Sequence, residues 1–327
     1  MSNWVSLFPG VAPKIRDAFD ELRPMVSLPK IKGTWFYVDP QNGANTNSGK
    51  SQAKAVADLQ TAYGLCTSGA GDGIILLSGG TTTAHTTSYF TTALDWTKYA
   101  ITVYGVCAPV GMYQRARVAN AATTGEDLAY LIDVQGDNNR FINMSLWNGG
   151  TDAAAVSSVK VTGNRNSFEN VHIMTGNADA AAATHRSLEI NAAEENYFYH
   201  CTIGTDTIDR GNNASCEVLF DGACYRNVFE GCKFLAWVST GTAHGAIESA
   251  DADTLGRDNY FEKCSFSVFA TQQASTFIGT APTAGRFYIT DSWTSYAAWD
   301  SNASNNMVFV NMPTTAASAG GGIVTTN

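Results

Sequence analysis

Carboxylates are the most plentiful reactive groups in this chain. Glu189, Glu194, Glu195, Asp206, Asp209, Asp221, Asp251, Asp253 and Asp258 crowd into one stretch of it. Glycoside hydrolysis needs two carboxylates across a groove, and elimination chemistry needs an acidic cluster for calcium with a basic group as proton acceptor. Most of these acids neighbour Gly or Asn, where solvated turn residues are the ordinary reading. Of the five histidines, His172 and His200 fall on outward positions of strand-like segments, and His85, His185 and His244 lie in Thr- or Ala-rich loops. None neighbours a Ser or Cys in an arrangement that suggests a triad, although distance along the chain does not forbid one. The seven cysteines are odd in number and form no CxxC pair, which argues against a disulfide framework or a zinc site and points to a reducing compartment. No catalytic, cofactor-binding or metal site is therefore expected.

The elements that would position such groups are legible as a repeat. NNRFINMSL (138–146), RNSFENVHI (165–173), ENYFYHCTI (195–203), RNVFEGCKF (226–234) and DNYFEKCSF (258–266) share one pattern, and RFYITDSW (286–293) and NMVFVNMP (306–313) are degenerate copies. The asparagines at 139, 166, 196, 227 and 259 are separated by 27, 30, 31 and 32 residues. Upstream of each asparagine runs a second short strand-like segment, such as AAVSSVKVTG or SCEVLFDG. Two or three short strands with Asn or Gly corners at this period predict an all-β solenoid, the right-handed parallel β-helix. Equivalent residues of successive turns would stack about 4.8 Å apart. Asn139, Asn166, Asn196, Asn227 and Asn259 would form a corner ladder in the left-handed conformation that asparagine tolerates. Phe141, Phe168, Phe198, Phe229 and Phe261 would stack inward, with Cys201, Cys232 and Cys264 on the same inner face. Stacked thiols lack the convergence zinc requires and act as small apolar groups.

Three regions follow: an arm (1–33), a β-helix opening with a helical cap (34–115), and the repeats with a carboxyl-terminal segment (116–327). The segment SQAKAVADLQTAYGLC carries a largely apolar face and is expected to be a helix capping the open end. The arm, punctuated by prolines, offers Trp4, Phe8 and Phe19 as docking anchors for a capsid or a neighbouring subunit. With 29 acidic and 20 basic residues the net charge is −9, so nucleic acid is not an expected partner. The amino terminus lacks a signal-peptide pattern and no run approaches eighteen apolar residues, so no membrane partner is expected and synthesis in the cytoplasm is.

The stretches TIGTDTIDRGNNAS (202–215), CYRNVFEGCKFLAW (224–237) and AAWDSNASNNMVFVN (297–311), with the opening at 34–80, resemble β-helix virion proteins of tailed bacteriophages. That group includes trimeric capsid decoration (cement) proteins and relatives of tailspikes, and the opening is similar to pectate-lyase-like proteins. The resemblance implies a homotrimeric structural protein without a cofactor, partnered with the phage major capsid protein on the virion surface, and not an enzyme. The alternative is a tailspike-like protein that binds or cleaves polysaccharide, with Trp147, Trp237, Trp293, Tyr296 and Trp299 as the aromatics to inspect. No Asn-Thr-Asp, Gly-His-Gly or Arg-Ile-Lys run of the polygalacturonase kind is present.

Overall fold

The computed structural model describes residues 28–78, 87–120, 128–150, 155–176, 185–210, 215–238, 244–250, 255–269, 276–296 and 306–312. The arm anchors Trp4, Phe8 and Phe19, the carboxyl-terminal Gly- and Ala-rich stretch, Asp251, Asp253 and Trp299 lie outside the described residues.

The chain forms a right-handed parallel β-helix of three sheets, the first with ten described strands, the second with eight and the third with seven. One turn illustrates the path. Arg140–Ile142 belongs to the first sheet, Ser145–Asn148 to the second and Ser157–Val161 to the third, and Ser167–Glu169 returns to the first beside Arg140–Ile142. Every described strand pair is parallel, and the phenylalanines fall in exact register, Phe141 beside Phe168, Phe198, Phe229 and Phe261. The reason is steric. In a strand alternate side chains face opposite ways, so Phe168, between Ser167 and Glu169, must enter the interior while its neighbours face out. The rings stack face to face at centroid separations of 5.0, 4.7, 4.5 and 4.7 Å. All five are fully buried. Cys201, Cys232 and Cys264 are buried beside them, and each thiol donates to a carbonyl of the preceding turn, Phe168, Phe198 and Phe229 respectively.

The asparagines line the corner that enters the first sheet. Each Oδ1 accepts the backbone N–H of the asparagine one turn earlier: Asn166 from Asn139 at 2.9 Å, Asn196 from Asn166 at 2.9 Å, Asn227 from Asn196 at 3.1 Å and Asn259 from Asn227 at 3.0 Å. The expected left-handed backbone is displaced by one residue. Positive φ falls on Asn138, Arg165, Glu195 and Arg226, and the ladder asparagines have negative φ. The preceding residue makes the bend, which frees the asparagine side chain to lie along the stack.

The corner from the first to the second sheet is a second left-handed row: Asn143, Asn170, His200, Gly231, Lys263, Asp291 and Asn311. Asp291, in the degenerate copy RFYITDSW, sits there at φ 49°. The capping segment is less helical than its periodicity suggests. It contains a 3₁₀ turn at Gln52–Lys54 and an α-helix only at Leu59–Leu65, started by the Asp58 side chain accepting from Thr61 N–H at 2.7 Å. Asp58 displaces the helix start because its carboxylate satisfies the first-turn amide.

Candidate functional site

The outer face of the first sheet presents two rows that alternation dictates. One row runs Thr102, Arg140, Ser167, Tyr197, Val228, Tyr260, Tyr288, and the other runs Tyr104, Ile142, Glu169, Tyr199, Glu230, Glu262, Thr290. Tyr197 and Tyr199 stack 5.9 Å apart, and Tyr260 and Tyr288 5.4 Å apart. All four are half-buried, so one face of each phenol remains in water. The Tyr197 hydroxyl donates to Glu230 at 2.5 Å, and burial together with that carboxylate pushes the phenol above its ordinary range.

At the amino-terminal end of these rows lies a cleft of about 430 Å³ whose lining includes Pro29, Tyr104, Pro109, Arg140, Ile142 and Glu169. Among the described residues neither the Arg140 guanidinium nor the Glu169 carboxylate has an ion-pair partner. Apolar and aromatic side chains with one cation and one anion among them are the composition of a ligand site. Glu169 and Glu230 occupy equivalent positions two strands apart, so at about 4.8 Å per strand their backbones are about 9.6 Å apart, with Tyr199 between them. Side chains from strands so spaced can reach to either side of a glycosidic bond and a water.

The acids singled out by sequence are otherwise employed. Glu189 is buried, and although burial would raise its carboxyl, Arg186, Asn191 and Lys160 hold it below its ordinary range. Glu194 and Glu195 form a charged stack at the turn with Arg226, at 3.0 and 2.6 Å, and Arg165 reaches Glu195 at 2.7 Å. Asp221 accepts from Asn191 at 2.8 Å. Asp206 stands 3.4 Å from the Tyr113 hydroxyl, and Asp209 and Asp258 are half-buried. The three glutamates of the outer face were not singled out, yet their signal was present. Each follows an inward phenylalanine, in SFE, VFE and YFE, and alternation alone turns it outward.

His172 occupies the outward position expected of it but is fully buried, because residues 107–114 cross the second sheet above it. Its Nδ1 accepts the Tyr113 N–H at 2.9 Å and its Nε2–H donates to Gly204 O at 2.9 Å. Burial lowers its pKa to about 4. His200 is exposed at its corner against Tyr199. Of the aromatics, Trp237 and Trp293 are exposed, Trp147 is half-buried and Tyr296 is buried.

A second polar group lies where the second sheet meets the third. Arg210 donates to both oxygens of Glu217 at 3.0 and 2.9 Å and to Thr175 and Ser187 at 2.7 and 3.0 Å. Beside it Ser215 lies 2.9 Å from His244 Nδ1, and the other ring nitrogen is 3.5 Å from Glu217 Oε1. Sequence distance hid this group: register sets His244 beside Ser215 on the next strand, since Cys216 pairs with Gly245.

No family model matches the chain, and no curated protein matches it. Solved structures do. A rhamnogalacturonan lyase is 14% identical over 80% of this chain and 68% of its own, with a TM-score of 0.51. The pectin methylesterase PemA from Erwinia chrysanthemi is 12% identical over 89% and 92%, with a TM-score of 0.54. A pectin methylesterase from Aspergillus niger is 13% identical over 88% and 86%, with a TM-score of 0.51. At such identities the likeness establishes the parallel β-helix fold. It also corrects the expectation that the chain is not an enzyme. That expectation rested on a solenoid leaving little room for chemistry, and these solenoids of similar extent are a lyase and esterases.

Proposed function

We propose that the protein acts on polysaccharide, laying a saccharide chain along the tyrosine rows of the first sheet. The observation that carries this reading is the outer face itself: four half-exposed tyrosines and three glutamates in register, ending in a cleft where Arg140 and Glu169 have no described partner. Tyrosine suits a sugar because its ring covers the apolar C–H face while its hydroxyl hydrogen-bonds to the sugar's own. Glu169 and Glu230 are the acid–base pair in this reading. Their separation leaves room for a water opposite the leaving group, the geometry of hydrolysis with inversion.

Of the two functions the sequence raised, the enzymes that share the fold support this one over homotrimeric capsid decoration. In its tailspike-like form the reading keeps the virion as location and a homotrimer as assembly, which sedimentation and copy number per particle would test. The deciding experiment screens acidic and neutral polysaccharides by affinity electrophoresis and reducing-end release. Tyr197→Ala and Tyr199→Ala should weaken retention. Glu169→Gln and Glu230→Gln should keep retention and lower cleavage by about 10²-fold or more, the usual contribution of a positioned acid or base. Cleavage unaffected by both glutamine variants, or no retention of any polysaccharide, overturns the reading.

A further inference from the structure

We propose that the polysaccharide carried on the first sheet bears free amino groups, and that Glu262 is the specificity-determining residue, receiving an ammonium beside the stacked rings of Tyr260 and Tyr288. This substrate class rests on the polysaccharide reading above. The sign of the face is the first observation. Its two outward rows, from Thr102 and Tyr104 to Tyr288 and Thr290, carry one cation, Arg140, against three anions, Glu169, Glu230 and Glu262. A polyuronate laid along these rows would set carboxylate against carboxylate at three strands, and like charges brought into contact repel. A chain with amino groups meets the opposite sign there.

Glu262 is the exposed member of the three. Its backbone carbonyl accepts from the Gly231 N–H and the Cys264 thiol, while its carboxylate has no ion-pair partner among the described residues. Glu230, beside it on the adjacent strand, is already engaged by the Tyr197 hydroxyl at 2.5 Å. Like charges facing each other across neighbouring strands destabilise a sheet, and a cation seated at Glu262 removes that repulsion. Tyr260 lies two residues before Glu262 on the same face and stacks on Tyr288 at 5.4 Å, with both rings half-buried. Carboxylate and phenol together suit an ammonium: the first supplies charge and hydrogen-bond acceptors, the second the negative face of its ring.

The cations of the face limit where the amine can sit. Arg140 stands four strands from Glu262, about 19 Å at about 4.8 Å per strand. Arg286 donates to the Tyr288 hydroxyl at 3.2 Å, but it precedes Thr290, the strand partner of Glu262, by four residues, about 13 Å along the strand. At the cleft Arg140 and Glu169 lie on adjacent strands, so charge there is balanced and a neutral sugar unit suffices. A partly N-acetylated amino-sugar chain satisfies both ends. Glu262 stands one strand beyond Glu230, so recognition of the amine leaves Glu230 to the acid–base chemistry.

The test uses the full chain and fluorescence anisotropy with three labelled oligosaccharides of equal length: partly N-acetylated glucosamine, fully N-acetylated glucosamine and galacturonate. The partly acetylated oligomer should bind about 5- to 30-fold more tightly than the fully acetylated one, the joint effect of an exposed ion pair and a cation over a phenol ring. The galacturonate oligomer should bind most weakly. Glu262→Gln should bring the two glucosamine oligomers to within about 3-fold of each other, and Glu262→Lys should reverse their order and strengthen binding of galacturonate. Because Glu262 is exposed, both variants should keep the wild-type circular dichroism. Equal affinity for the two glucosamine oligomers, tightest binding of galacturonate, or an undiminished preference in Glu262→Gln overturns the proposal and leaves the polysaccharide reading standing. Binding of none of the three, with no retention of any longer polysaccharide, overturns both.

Discussion

Replacing Asn227 by alanine tests how the corner ladder holds the stack. The Asn227 Oδ1 accepts from the backbone N–H of Asn196 at 3.1 Å and from its side-chain amide at 3.0 Å, and its own Nδ2 donates to Ala193 O and Asn259 Oδ1, both at 2.9 Å. Three of the groups left behind have other partners. The Asn196 amide also reaches Gly163 O, Asn259 Oδ1 still receives the Asn227 N–H, and Ala193 O also accepts from Tyr225. The Asn196 N–H has no second acceptor among the described residues and is buried, so it carries an unsatisfied donor costing about 1–3 kcal/mol. Three weakened bonds and a small void add to it, and the expected loss is about 2–4 kcal/mol. Equilibrium urea unfolding followed by tryptophan fluorescence and far-ultraviolet circular dichroism reads this as a lower midpoint. An exposed control, Asn42→Ala, whose contacts are to Asp39 alone, should stay within about 0.5 kcal/mol of wild type. A loss below about 1 kcal/mol for Asn227→Ala would refute the accounting and leave the corner to backbone geometry.

Phe229, stacked between Phe198 and Phe261, should cost about 3–5 kcal/mol when replaced by alanine, measured by the same unfolding assay. Among the thiols, Cys107 is half-buried and the other six are buried, so native protein at pH 8 should take up one equivalent of iodoacetamide quickly and the rest only on unfolding, as counted by intact mass. For Cys66 and Cys224 burial pushes the pKa up to about 12, which suppresses the reactive thiolate further. On acidification, His172 binds a proton near its ordinary 6.5 when unfolded and only near about 4 when folded, so its stabilisation is present above pH 6.5 and declines as pH falls toward 4. The shift corresponds to about 3 kcal/mol. His172→Gln should flatten that part of a pH–stability curve, and an unchanged slope would contradict it.

The architecture was legible because a β-helix writes each turn on the next. A phenylalanine flanked by polar residues, an asparagine two places before it and a cysteine three places after it suffice to define a strand, its corner and its next strand. What escaped were features that depend on neighbours distant in the chain. His172 reads as outward, and only the crossing of residues 107–114 makes it buried. Ser215 and His244 are 29 residues apart, and their contact exists only once strand register is fixed. The outer glutamates were overlooked for the opposite reason: they lie inside the repeat, and attention went to acids in irregular sequence. Asn138, Arg165 and Glu195 took the strained dihedral expected of their asparagine neighbours, a one-residue offset below what composition distinguishes.

From Arg140 to Phe269 the corner between the first and second sheets spans two residues in every turn, at Asn143–Met144, Asn170–Val171, His200–Cys201, Gly231–Cys232 and Lys263–Cys264. Between the second and third sheets the connections from Asn148 to Ser157, Thr175 to Arg186, Asp209 to Cys216 and Trp237 to Gly245 all differ in length. For protein engineering this divides the molecule into a fixed chassis and an adjustable rim. Peptides grafted between Asn148 and Ser157, clear of the buried Arg210, Ser215 and His244, would alter the outline of the rod, whereas a single inserted residue at Asn170–Val171 would turn every following side chain of that strand inside out.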